Sequence, residues 1–206
     1  METTNIKTSI DLYQTEFKDY KPQGKLLDIY TYPAPILKKI AKPVTEFDEN
    51  LKTLCLDMLT TMYAAPGIGL AAPQIGESLR IFVMDIDYNR EKVTRADGSS
   101  DYELTQLNPY IFINPIIENK EGEILYQEGC LSVPGIYEDV KRAESIVVKF
   151  QDWEGNHHSI EAHDLFSVCI QHENDHLDGI VFLERLSMLK RNLLTKKFMK
   201  QKKKGK

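Results

Sequence analysis

No stretch of this 206-residue sequence approaches the roughly 18 consecutive apolar residues of a membrane-spanning helix. Met1 to Tyr20 is polar and acid-bearing, without the apolar core of an export signal, so the expected compartment is the cytoplasm. Cysteine is sparse: three residues, an odd number without framework spacing, argue against a disulfide scaffold and make any functional cysteine a ligand or a nucleophile. Internal repeats and low-complexity segments are missing too, apart from a lysine-rich end that contains no acid. Lys190 to Lys206 carries nine Lys/Arg and no Asp/Glu, so with a net charge of −5 overall the rest of the chain bears −14. Such a tail is either a solubilising terminal helix or a basic arm for RNA or another polyanion. The chain as a whole, 42% hydrophobic and 28% charged, is enough for one sizeable core and too short to need two.

The most informative stretch is Ile170-Gln171-His172-Glu173-Asn174-Asp175-His176-Leu177, which places His-Glu-x-x-His in a segment of helical pattern. Positions i and i+4 lie one above the other on a helix, so His172 and His176 can share a metal ion. Glu173 is rotated about 100° from His172 and can reach a metal-bound water, the placement of a general base. With Asp164 as expected N-cap, Leu165, Val168, Cys169, His172 and His176 form one stripe, apolar at its start and imidazole at its end. The bland alternative is a pair of core histidines satisfied by carbonyls. Two imidazoles beside a carboxylate, however, cost desolvation without a structural return.

Elsewhere, residues 1 to about 24 show no sustained periodicity and read as a surface extension. Leu51, Leu54, Cys55, Met58, Leu59 and Met62 recur at helical spacing and predict a helix from Asn50 to about Ala64, with Cys55 in the core. A loop follows, Pro66-Gly67-Ile68-Gly69-Leu70-Ala71-Ala72-Pro73-Gln74, small enough for a ligand to approach its backbone. It is not a nucleotide loop, because the order is helix, loop, strand and the further glycines or lysine are missing. Gln74 either grips a substrate carbonyl or staples its own loop. Leu79 to Ile86, Tyr110 to Ile117, Ser145 to Asp152 and Asn156 to His163 are strand-like, the last two as a hairpin, and residues 88–110 read as a polar surface insertion. His157, His158 and His163 sit on that hairpin, where surface or hairpin-end positions are expected.

A catalytic site of this type takes three protein ligands and keeps one position open. A third histidine six residues after His176 is ruled out, since that position is Phe182. Glu184 follows His176 too closely for an easy return, and Cys169 lies seven residues from His176, about 10 Å along the helix. Cys130, in the loop Gln127-Glu128-Gly129-Cys130-Leu131-Ser132-Val133-Pro134-Gly135, can be brought to the helix by tertiary folding.

Three motifs in order, Gly67-Ile68-Gly69-Leu70-Ala71-Ala72-Pro73-Gln74, Glu128-Gly129-Cys130-Leu131-Ser132 and Gln171-His172-Glu173-Asn174-Asp175-His176-Leu177, resemble those of the peptide deformylases. The resemblance runs from about Leu27 to Leu189; it implies a catalytic domain over residues 25–189, between the 1–24 extension and the 190–206 tail. It also implies an α+β fold with antiparallel sheets around the His-Glu-x-x-His helix and the N- and C-terminal helices outside. The implied reaction removes the formyl group from the initiator methionine of nascent chains and releases formate. Cys130, His172 and His176 would hold one divalent metal, Fe²⁺ in the cell, with Zn²⁺, Ni²⁺ or Co²⁺ possible in preparations. Glu173 would move the proton, and the Gln74 amide with the Leu131 N–H would face the oxyanion. Gly67, Ile68 and Gly69 would pair with the peptide backbone, and Val168 and Cys169 would border the methionine pocket. Arg142 matches an arginine that some members pair with the glutamate at Glu128. The substrate-side arginine of many bacterial members is replaced by the stretch Gly135-Ile136-Tyr137. The basic tail is expected to touch ribosomal RNA. A metallopeptidase using Glu184 and a non-catalytic metal-binding protein are the rival readings.

Overall fold

The computed structural model describes Phe17, residues 20–95 and residues 97–204. Much of the 1–24 extension and the end of the tail therefore lie outside the described residues.

Helix α1 (Glu49–Ala64) starts one residue before the expected position because the Asp48 side chain accepts the Leu51 N–H at 2.9 Å, a side-chain N-cap. Its buried face is the one the spacing predicts, Leu51, Cys55, Met58, Leu59 and Met62. It packs on a five-stranded antiparallel sheet ordered β1-β2-β5-β8-β9: β1 (Gly69–Ala71), β2 (Ile81–Met84), β5 (Tyr110–Glu121), β8 (Ser145–Gln151) and β9 (His157–His163). Strand alternation divides the sheet into two apolar faces. Ile81, Val83, Ile111 and Ile113 meet α1, whereas Phe82, Met84, Phe112, Ile146, Val148 and Phe150 meet helix α2 (Asp164–Leu177). The stacked pair Phe82 and Phe112, with ring centroids 4.6 Å apart, lies in the second face.

Two hairpins stand apart from this sheet. β3 (Asn89–Thr94) and β4 (Ser100–Thr105) form the exposed 88–110 segment, and β6 (Ile124–Gly129) pairs with β7 (Tyr137–Arg142). A third cluster, including Leu37, Val133, Val140, Phe182 and Phe198, joins the β6–β7 hairpin to helix α3 (Met188–Lys204), of which Phe198 is the one buried residue. The α+β class with antiparallel sheets and three helices is as the motifs imply. No described helix is long and apolar enough to cross a membrane.

Phe17 departs from the pattern of its neighbourhood in sequence: it is 3% exposed and its ring lies 5.2 Å from that of Trp153. A single aromatic anchor carries no periodicity, so nothing in the sequence marks it.

Candidate metal centre

Helix α2 does not begin as its sequence suggests. Asp164 is the first helical residue with φ +49°, its N–H donating to the Glu144 carbonyl at 3.0 Å; the cap position belongs to His163, whose side chain makes no capping bond. The short link from β9 leaves no extended residue at 164, and a side-chain cap needs one there. Beyond this start the stripe is as expected. Leu165, Val168, Cys169 and His172 face a cavity of about 470 Å³, and His176, one turn further, is fully enclosed.

Cys130 arrives from the other hairpin. It directly follows β6, and its carbonyl accepts the Val133 N–H at 2.9 Å, a tight turn that aims the side chain at α2. The ligand atoms of Cys130, His172 and His176 all lie within 4.8 Å of one another, and the Cys130 Sγ is 3.2 Å from His176 Nε2. Among the described residues no other group of three His, Cys, Asp or Glu side chains is so placed. Glu184 pairs with Lys38 and accepts the Val181 N–H, so it is engaged elsewhere. His158, near the hairpin end, turns inward and bonds Asp152 at 2.8 Å.

A charged network fixes the geometry from behind. His172 Nδ1 meets Glu128 Oε2 at 2.7 Å, which leaves Nε2 as the coordinating nitrogen. Arg142 grips both Glu128 oxygens, Nε at 2.6 Å and a terminal nitrogen at 2.9 Å, and its other terminal nitrogen reaches Asp175 Oδ2 at 2.6 Å. Arg185 closes the far side of Asp175. Burial alone would raise the Glu128 pKa, but the bonds from Arg142 and His172 outweigh it and bring it down to about 2. Burial also opposes charge on His172, yet its bonds to Cys130 and Glu128 hold its pKa well above the imidazole range. On His176 burial wins, aided by His172, and holds its pKa well below the imidazole range. One thiol and two imidazoles, one with its tautomer fixed by a carboxylate, suit a single divalent transition-metal ion.

Glu173 lies beside this triad, not in it. Its Oε2 is buried without a hydrogen-bond partner among the described residues, and burial pushes its pKa up to about 7. Gly69 makes the approach possible: a Cβ on it would collide with the Glu173 carboxylate. Gln74 staples its own loop. Its Oε1 accepts the Ala71 N–H at 2.8 Å, a loop staple, which leaves Nε2 facing Ser132 Oγ at 3.2 Å and Cys130 Sγ at 3.6 Å. Gly67, Ile68, Gly69, Leu131 and Glu173 border the same cavity.

Comparison with known proteins agrees. The family model described as polypeptide deformylase matches residues 26–192. The chain belongs to the peptide deformylase family. A peptide deformylase of Mesorhizobium japonicum is 46% identical over 169 residues, covering 82% of this chain and 88% of the relative. One from Neisseria meningitidis is 44% identical over 178 residues, 86% and 97% of the two chains. Among solved structures, a peptide deformylase from Legionella pneumophila superposes with a TM-score of 0.75 at 43% identity, over 86% of this chain and 96% of that one. One from Synechococcus elongatus in complex with actinonin gives 0.72 at 37%, over 84% and 90%. As a peptide deformylase the protein is a metallohydrolase that removes the N-formyl group from nascent polypeptides. Two parts of this deformylase site escaped the sequence: Asp175, which anchors Arg142, and Arg185 behind it. The only signal was an acid between the motif histidines, one residue before His176.

Proposed function

We propose that Cys130, His172 and His176 hold Fe²⁺ in the cell and that Glu173 carries the proton of the deformylation reaction, in the cytoplasm. The observation that supports this best is the buried Glu173 Oε2, without a hydrogen-bond partner among the described residues, next to three converging ligand atoms at the end of the cavity. When bound, the ion supplies a Lewis acid for the formyl oxygen and lowers the pKa of water toward neutrality. The residues divide the rest. Glu173 accepts the proton of the attacking water and returns it to the departing amine, so one carboxylate serves both transfers. The Gln74 Nε2, held in orientation by its own staple, and the Leu131 backbone N–H donate to the developing oxyanion. Gly67 to Gly69, at the outer edge of the five-stranded sheet, offer backbone groups to an extended peptide, and Val168 and Cys169 border the space for the methionine side chain.

The test is formate release from formyl-Met-Ala-Ser with metal content measured on the same samples. The Fe²⁺ form prepared without air should be the fastest and decay in oxygen, because a thiolate beside an oxidisable ion with an open position is exposed to it. Ni²⁺ and Co²⁺ forms should be comparably fast and durable, and the Zn²⁺ form slow. Equal rates for all four, indifferent to oxygen, would overturn the metal assignment.

Helix α3 is the second part of the proposal: its basic face docks the enzyme on ribosomal RNA. From Lys190 to Lys204 it bears eight Lys/Arg and no acid, and most of these side chains are exposed. Lys202 is tied back to Thr31 Oγ1 at 2.7 Å, and Lys190 to Glu138 at 3.0 Å, so the helix is held to the body while its remaining charge faces outward. Ribosome binding should weaken steeply with salt and disappear on truncation after Leu189, and replacing the exposed Lys196, Lys197, Lys200 and Lys203 by Gln, which leaves the buried Phe198 in place, should weaken it with peptide turnover intact. Undiminished binding by the truncated protein would refute the docking role.

A further inference from the structure

The 88–110 hairpin has no part in the chemistry above, yet one of its feet reaches the lip of the cavity. The Tyr88 hydroxyl donates to the Gly67 carbonyl at 3.0 Å. Gly67 is held from its other side as well, its N–H donating to the Met62 carbonyl at 3.0 Å, and the next carbonyl, of Ile68, accepts the Asp85 N–H at 3.0 Å. The edge proposed to receive the peptide is therefore pinned at three backbone groups, the Gly67 N–H and carbonyl and the Ile68 carbonyl, one of them by a side chain of the inserted segment.

Tyr88 is itself fixed. Its ring meets that of Tyr63 edge-on at 5.0 Å between centroids, and the Tyr63 hydroxyl donates to Asp85 Oδ2 at 2.6 Å. The fully buried Asp85 carboxylate also accepts the backbone N–H of Asp87 at 2.9 Å and of Tyr88 at 3.2 Å on one oxygen, and of Asn108 at 2.7 Å on the other. Both feet of the hairpin, 87–88 and 108, thus hang on one carboxylate, and the Tyr88 hydroxyl carries that order to Gly67. By contrast the hairpin beyond its feet is mostly exposed: Leu104 packs on the core, and the rest is held by its own contacts, such as Arg90 over the Tyr102 ring at 4.0 Å.

We infer that Tyr88 is a positioning residue: through the Gly67 carbonyl it sets the backbone edge of Gly67 to Gly69 in the register that pairs with the peptide. This rests on the reading that the peptide backbone pairs there. A hydrogen bond that orders a binding edge equally before and during reaction acts on substrate affinity and not on the chemical step.

Tyr88→Phe keeps the ring on Tyr63 and removes only the hydroxyl. With formyl-Met-Ala-Ser its KM should rise roughly five- to tenfold at nearly unchanged kcat, the scale of one lost hydrogen bond, and the rise should shrink for formyl-Met amide, which has less backbone to pair. Arg95→Ala, which removes the ion pair to Asp101 at the far end of the hairpin, should leave both KM values as they are. A substrate N-methylated on the residue after methionine checks the underlying reading: the parent enzyme should turn it over poorly. If the parent does not discriminate against it, backbone pairing fails and the inference falls with it. If the parent discriminates but Tyr88→Phe shows an unchanged KM, or a fall in kcat equal for both substrates, the positioning role is overturned while the pairing stands. An Arg95→Ala effect as large as that of Tyr88→Phe would place the contact in the hairpin itself and also overturn the role of the hydroxyl.

Discussion

Glu173→Gln is expected to take up metal and bind peptide like the parent chain and to release formate roughly 10²- to 10⁴-fold more slowly, the range for loss of one acid/base group. The amide has nearly the shape of the carboxylate, so the narrow space opposite Gly69 stays filled and the three ligands keep their places. What it cannot do is accept the proton of water and give it to the amine. Metal content, inhibitor affinity and kcat measured together separate this from a collapsed site: the first two should hold while the third falls. A near-normal kcat would remove Glu173 from the mechanism.

Cys130→Ala should lose bound metal and formate release together, because two imidazoles alone are a poor cage for an ion that elsewhere takes three protein ligands. Cys55→Ala is the matched control. Cys55 is fully buried in the cluster between α1 and the sheet, where burial pushes its thiol up to about 12, and it should keep both metal and activity. Metal analysis of the two purified variants decides the matter, and full occupancy in Cys130→Ala would end the assignment of the third ligand.

The parts of this molecule that were legible in its sequence are those whose signal is local. The stripe Leu51, Cys55, Met58, Leu59, Met62 gives α1 directly, because helical spacing and burial share one period. Likewise the hairpin of β8 and β9 follows from two alternating runs joined through Trp153-Glu154-Gly155. His172 and His176 are one turn apart and mark themselves. Cys130 is different: 42 residues before His172, it could be reached by eliminating Cys169 and Glu184 on spacing and by resemblance, not by pattern. The Arg142 to Asp175 contact had no such help. It joins residues 33 apart, and a long-range ion pair leaves no periodic trace. The start of α2 failed for a related reason. An aspartate ahead of an apolar stripe is a sound N-cap signal, but the bond of its N–H to Glu144 puts it inside the helix with a left-handed φ.

The triad is assembled from elements seated in two different apolar clusters. His172 and His176 belong to α2, whose apolar side is seated on the five-stranded sheet, and Cys130 packs with Leu37, Val133 and Phe182 in the cluster beneath α3. A cation gripping all three is a ligand of the native chain alone, since the unfolded chain scatters them. Mass action then couples folding to metal supply: at a hundredfold excess over its dissociation constant such an ion adds about 2.7 kcal/mol. Heat resistance in this protein is accordingly a property of the preparation as well as of the polypeptide, and melting temperatures of two variants can be compared only at matched free-metal concentration.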